Sequence, residues 1–208
     1  VGSVLTVATL LWQPNKASRD FSRCYDETWV EKLYRGFRRN LTLPFRFTVF
    51  VDRAYTFAEA DIEQIALSDP EPSYGTCIEP YRLGTPMILV GLDTIVAGNI
   101  DHIADHCLHT DRPAYPVDPY NQRQVCNGVG LIPAGCQMMG LAHRGENDME
   151  WVRRFPHERI DAIFPGEVQS YKGHVKRRGL GDARIIYFHG QEKPHQLGHV
   201  DWIKQHWR

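Results

Sequence analysis

The sequence predicts a single α/β domain over residues 1–208, a mixed, mainly parallel sheet with helices on both faces. Three observations predict it. Val4–Trp12 and Arg46–Val51 are β-branched and aliphatic runs, and the segment between them carries apolar residues at helical spacing. Strand, helix and strand within about fifty residues make a βαβ unit with a right-handed crossover. Met87–Val90 is a further apolar run, followed by Gly91 and Asp93. A carboxylate at the carboxyl end of a buried strand, beside a glycine, is a common ligand position in open α/β sheets. Asp93 as a cap of the next turn is the competing reading at this point.

The elements follow in order. Val4–Trp12 is bounded by Gln13-Pro14-Asn15 and reads as a strand ending in a loop. Asp20 or Ser22 is placed to cap the next helix, along which Tyr25, Trp29, Leu33 and Phe37 recur every four residues beside Val30 and Tyr34. Arg35, Arg38 and Arg39 fall near its end, where cations suit the helix dipole, so the cluster is read as structural rather than as a nucleic-acid contact. Pro44 breaks the pattern before the second strand. Residues 57–67 fit either a short helix or a strand, and Asp69–Gly75 reads as a loop.

After Met87–Val90, a short helix is expected near Asp101–Leu108. Arg112–Tyr120, with three prolines, reads as irregular or as an edge strand. Val125–Ile132 reads as a strand interrupted by Gly128 and Gly130, where another group approaches the backbone. Asp148–Phe155 is a short helix, Val168–Tyr171 and Arg184–Phe188 are strands, and Val200–Trp207 can form a helix. Trp202 and Trp207 are expected to dock this tail on the domain. Lys172, Lys176, Arg177 and Arg178 read as a solvated basic turn.

Composition narrows the class. Hydrophobic residues make up 42% and charged residues 24%, ordinary for a globular chain, and the net charge of -1 gives no reason to expect nucleic acid as a partner. Five cysteines without a CxxC argue against a disulfide framework or a structural zinc site and favour a reducing, cytoplasmic setting. No signal segment and no apolar run of membrane-spanning length is present; because the first residues already read as strand, little is expected to precede the fold. Nucleophile elbow, P-loop, GxGxxG and HExxH motifs are missing.

Four stretches carry a more specific message: TVATLLW, LVGLDTIVAGNID, NDMEWV and IIYFHGQEKPH. In this order they resemble the type A nucleotide-sugar glycosyltransferases, most of all the glycogenin and bacterial galactosyltransferase group. The resemblance implies a Rossmann-like type A fold and a hexosyltransferase-like enzyme with a nucleotide-sugar donor and a carbohydrate, lipid or protein acceptor. It implies retention of anomeric configuration and a divalent cation, Mn²⁺ or Mg²⁺. Carried over position by position, Asp93 takes the place of the second aspartate of the Asp-x-Asp metal motif, and His189 is the second metal ligand. Gly190 is the close-approach position and Lys193 the diphosphate contact. Asp148 falls in the sugar and acceptor region, Asn127 faces the donor sugar, and Thr9 and Trp12 lie beside the nucleotide. Two departures stand out. Gly91 replaces the first aspartate, and Tyr187 occupies the usual histidine position, six residues before Lys193. A nucleotide-sugar-binding protein without catalysis is the alternative these departures raise.

Overall fold

The computed structural model describes residues 4–208, so the first three residues of the domain expected over 1–208 lie outside the described residues. The strands are β1 (Leu5–Leu11), β2 (Phe45–Val51), β3 (Ile62–Ala66), β4 (Met87–Val90), β5 (Ile95–Val96), β6 (Ala114–Tyr115), β7 (Val117–Asp118), β8 (Asn121–Val125), β9 (Val129–Ile132), β10 (Glu158–Arg159), β11 (Val168–Ser170) and β12 (Ile185–Tyr187). The helices are α1 (Glu27–Asn40), α2 (Asp101–His109), α3 (Gln137–Leu141), α4 (Asp148–Val152), α5 (Ile160–Ile163), α6 (Lys176–Arg178) and α7 (Asp201–His206). A seven-stranded sheet has the order β10-β6-β9-β4-β1-β2-β3. Strands β4, β1, β2 and β3 run parallel, and β9 is antiparallel to both β4 and β6.

Alternation along the strands builds a core on each face. Leu5, Val7 and Leu11 of β1, Phe47 and Val49 of β2, and Ile88 and Val90 of β4 pack with Trp29, Val30, Leu33 and Phe37 of α1 and Ile103 and Cys107 of α2. Ala8, Phe50 and Met87 point the other way. They meet Ile78 and Tyr81 of a 3₁₀ segment (Tyr74–Leu83), Met139 of α3 and Trp151 of α4. The mixed, mainly parallel sheet with helices on both faces is as expected. A second sheet, β11-β12-β5, joins through the antiparallel β12–β5 pair and carries a third core around Ile95, Ile186, Phe188 and Ile203.

Several local expectations need correction. Helix α1 is capped by Asp26, whose carboxylate accepts from the Thr28 backbone N–H at 2.9 Å and its hydroxyl at 2.6 Å; Asp20 and Ser22 instead bound a 3₁₀ turn. Residues 62–66 are strand, because Ile62–Ala66 extends the parallel ladder beside β2. Gly75 belongs to a 3₁₀ segment rather than a loop. Within the proline-rich segment β6 is no edge, since it lies between β9 and β10 with Tyr115 fully buried, whereas β7 is one of the two strands of the β7–β8 sheet. Val125 and Val129 belong to different strands, since β8 turns back on β7 as a hairpin. Helix α4 ends at Val152 rather than Phe155, and Asn147 caps it, accepting from the Glu150 N–H at 3.1 Å.

The cationic and aromatic surface features are consumed locally. Arg35 pairs with Glu31 and Glu59, and Arg39 donates to the carbonyl oxygens of His206 and Arg208. Trp207 packs edge-on against Trp29 with centroids 4.9 Å apart, and Lys32 sits 3.6 Å above its ring. Lys176 of the basic turn pairs with Glu192. No helix among the described residues is long and apolar enough to cross a membrane.

Candidate active site

A cavity of about 670 Å³ opens at the carboxyl ends of β1 and β4. From β1 the chain steps to β2 and β3 on one side, while β4 lies on the other, so this is the topological switch point of the sheet. Thr9, Trp12, Gly91, Asp93, Asn127, Asp148, His189, Gly190 and Lys193 all border this one cavity. Residues separated by up to 184 positions in the chain (193 − 9) therefore meet around a single space.

Asp93 follows β4 in a tight turn, with the Thr94 N–H donating to the Gly91 carbonyl. Asp93 is 6% exposed, and Lys193, the last residue before a short 3₁₀ turn, is also buried. The two form an ion pair through Asp93 Oδ2, and the Tyr25 hydroxyl donates to the same oxygen at 2.8 Å. Burial, then the Asp93 charge, pushes the Tyr25 phenol well above its usual pKa, so it stays a donor. The carboxylate is turned so that Oδ1 lies 3.0 Å from where a Cβ on residue 91 would sit. Glycine at that position and this orientation of Asp93 go together. Gly190 has φ +72°, the left-handed region that glycine enters without strain.

At another part of the wall, Asn127 Nδ2 donates to Asp148 Oδ2 at 2.7 Å. Burial raises the Asp148 carboxyl above the ordinary range, opposed by this hydrogen bond. His189 Nε2 is 2.8 Å from Ser170 Oγ; burial, then Lys172, lowers its pKa and keeps the ring neutral near pH 7. The Tyr187 ring packs on the Gly128 backbone, where an added Cβ would lie 2.4 Å from Cδ2. That is the close approach the glycine-interrupted segment implies. Thr9 is fully buried and its hydroxyl lacks a partner among the described residues.

Arg19, Phe21, Tyr25 and Tyr120 also border the cavity and were not among the site residues expected from the sequence. Tyr25 gave a signal of the wrong kind. It sits in register with the apolar face of α1, but it precedes the Asp26 cap and its hydroxyl reaches Asp93 instead. All five cysteines are free, and burial raises every thiol pKa, so none is a ready nucleophile near neutral pH.

The donor set does not fit a divalent cation. Asp93 Oδ2 already serves Lys193 and Tyr25, His189 Nε2 is engaged by Ser170, and Gly91 contributes no side-chain oxygen while its carbonyl accepts from the Thr94 N–H. No group of three or more His, Cys, Asp or Glu side chains able to hold a metal occurs among the described residues.

No family model matches the sequence, and no curated protein matches it. Among solved structures, the glycosyltransferase GlyE of Streptococcus pneumoniae TIGR4 superposes with a TM-score of 0.58 at 11% identity. The chain has a glycosyltransferase-like fold. The match covers 93% of this chain but only 56% of the GlyE chain. It bears on the fold and does not single out the glycogenin and bacterial galactosyltransferase group.

Proposed function

We propose that the protein transfers a sugar from a nucleoside diphosphate sugar to an acceptor hydroxyl. The observation that carries this reading is the single switch-point cavity in which a buried lysine and an oriented carboxylate, Asp148, line the same space. In such a transfer the bond between the sugar C1 and the distal phosphate oxygen breaks, and its electron pair leaves with the diphosphate. The acceptor oxygen forms the new bond to C1 and gives up its proton to the departing diphosphate. Charge therefore builds up on the phosphate, where a fixed cation stabilises it most. Lys193 is the side chain for that task. Asn127 orients Asp148 towards the sugar, whose hydroxyls and developing positive charge a carboxylate favours. Thr9 and Trp12 take the nucleoside side, and His189 and Gly190 the diphosphate loop. Retention of configuration is the outcome the motif resemblance supports.

Incubation with UDP-, GDP-, ADP- and CDP-linked hexoses, reading release of the nucleoside diphosphate, tests this reading. Release from one donor class, lost in Asp148→Ala, is the expected result. Saturable binding with no release from any donor would replace it with the second reading, a nucleotide-sugar-binding protein, which the missing aspartate at Gly91 favours.

A further inference from the structure

We infer that the Lys193 ammonium, held by Asp93, takes the place of the divalent cation, so that the site binds a nucleoside diphosphate without metal. The inference rests on the nucleotide-sugar reading above and deepens it.

An ammonium group carries three N–H donors. Asp93 Oδ2 takes one, and no other hydrogen-bond acceptor reaches Nζ among the described residues. The remaining surroundings of Nζ are aromatic, the rings of Phe21 and Tyr25 at 5.3 and 5.5 Å. Lys193 nevertheless borders the cavity. A buried cation with unused donors, on a residue that lines a ligand-sized space, is suited to receive an anion, and the low-dielectric aromatic wall strengthens that attraction. Two phosphate oxygens suit the two unused donors. Tyr25 and Lys193 together occupy Asp93 Oδ2, and the carboxylate orientation that does this brings Oδ1 to 3.0 Å from a Cβ on residue 91, so glycine there leaves it undisturbed. The loss of the first motif aspartate and the capture of the second by lysine are thus one arrangement. Asp93 is a positioning residue here: it fixes the ammonium and touches no ligand itself. Arg19, exposed at the cavity wall, supplies a second positive charge nearby.

The test is calorimetric titration of the full chain with UDP, GDP, ADP and CDP and with the matching nucleosides, each in EDTA and again in MnCl₂. One diphosphate is expected to bind with the same Kd, within about twofold, in both buffers. Lys193→Ala should weaken it by about ten- to a hundredfold, the value of hydrogen bonds to a charged group, and leave the nucleoside unchanged. Because that variant strands a buried carboxylate, Asp93→Asn/Lys193→Met is measured beside it; the neutral pair keeps the volume and should show the same loss. Asp93→Asn alone should weaken metal-free binding by less than Lys193→Ala does, since the ammonium keeps its charge but loses the group that fixes it, and Lys193→Arg should retain most of it. Binding that appears only with Mn²⁺, or metal-free binding indifferent to Lys193, overturns the inference while leaving nucleotide-sugar chemistry standing. No binding of any diphosphate in either buffer overturns both.

Discussion

Replacing Gly128 with alanine pits one methyl group against the ring of Tyr187. The new Cβ would lie 2.4, 2.8 and 2.9 Å from three ring carbons, whereas ordinary contact begins near 3.4 Å, so the ring must retreat by 3.4 − 2.4 Å, about 1 Å. It has little room to do so: Tyr187 is 3% exposed, ends β12 and contacts Cys126 on its far edge. Overpacking of this kind costs about 1–3 kcal/mol. For a chain of this length that lowers Tm by about 2–12 °C. Gly130→Ala is the matched control, because its nearest neighbour is the mobile Cδ1 end of Ile132 at 3.1 Å and its closest ring atom, on Tyr115, is 3.4 Å away. Thermal unfolding of both variants should therefore show the larger drop at Gly128. A Gly128→Ala midpoint within a degree of wild type, or a larger loss at Gly130, would refute the rigidity assigned to this wall.

Asp148→Asn should separate stability from activity. Burial raises the Asp148 pKa in the folded state, so wild type carries a penalty that is absent below the unfolded pKa, about 4, and grows as pH rises through the folded value. Removing the charge should raise stability near pH 7 by about 1 kcal/mol, with the gain vanishing below about pH 4, while donor turnover falls; a gain that persists in acid would point to another cause. The buried Tyr81 and Tyr115 hydroxyls share a 2.9 Å hydrogen bond. Tyr81→Phe alone should cost about 1–3 kcal/mol in urea unfolding by stranding the Tyr115 hydroxyl, and the double Phe variant should recover most of it. Additive losses would mean that the pair is not coupled.

The strands that were legible in the sequence share one property: they are buried on both faces, so β1, β2 and β4 read as continuous apolar runs. Helix α1 was legible from its apolar stripe. The hairpin strand β8 was not, because Asn121–Gln124 is exposed and only Val125 is buried, leaving no alternation to read. The 3₁₀ segment Tyr74–Leu83 hides behind Pro80 and anchors mainly through Ile78 and Tyr81, three residues apart, too sparse a pattern for a helix. At the site, the strand-end polar residues were visible because chemistry at a sheet's edge stands out against its apolar run. The pairing of Asp93 with Lys193 was not. Each is an ordinary charged residue in its own neighbourhood, and only the fold removes both from water and leaves each as the other's partner.

That ion pair also bears on the order in which the chain can become useful. Its partners are 100 residues apart in sequence. While the chain emerges from a ribosome, the central sheet can already gather around β1, β2 and β4, yet the carboxylate at its rim waits for a lysine made much later. The closing of so long a loop is a late event, because its entropy must be met before the contact rewards it. A nascent chain that stops short of Lys193 would thus hold the central sheet without the ammonium at its rim, and ligand capture would report the closing of that loop rather than the gathering of the sheet.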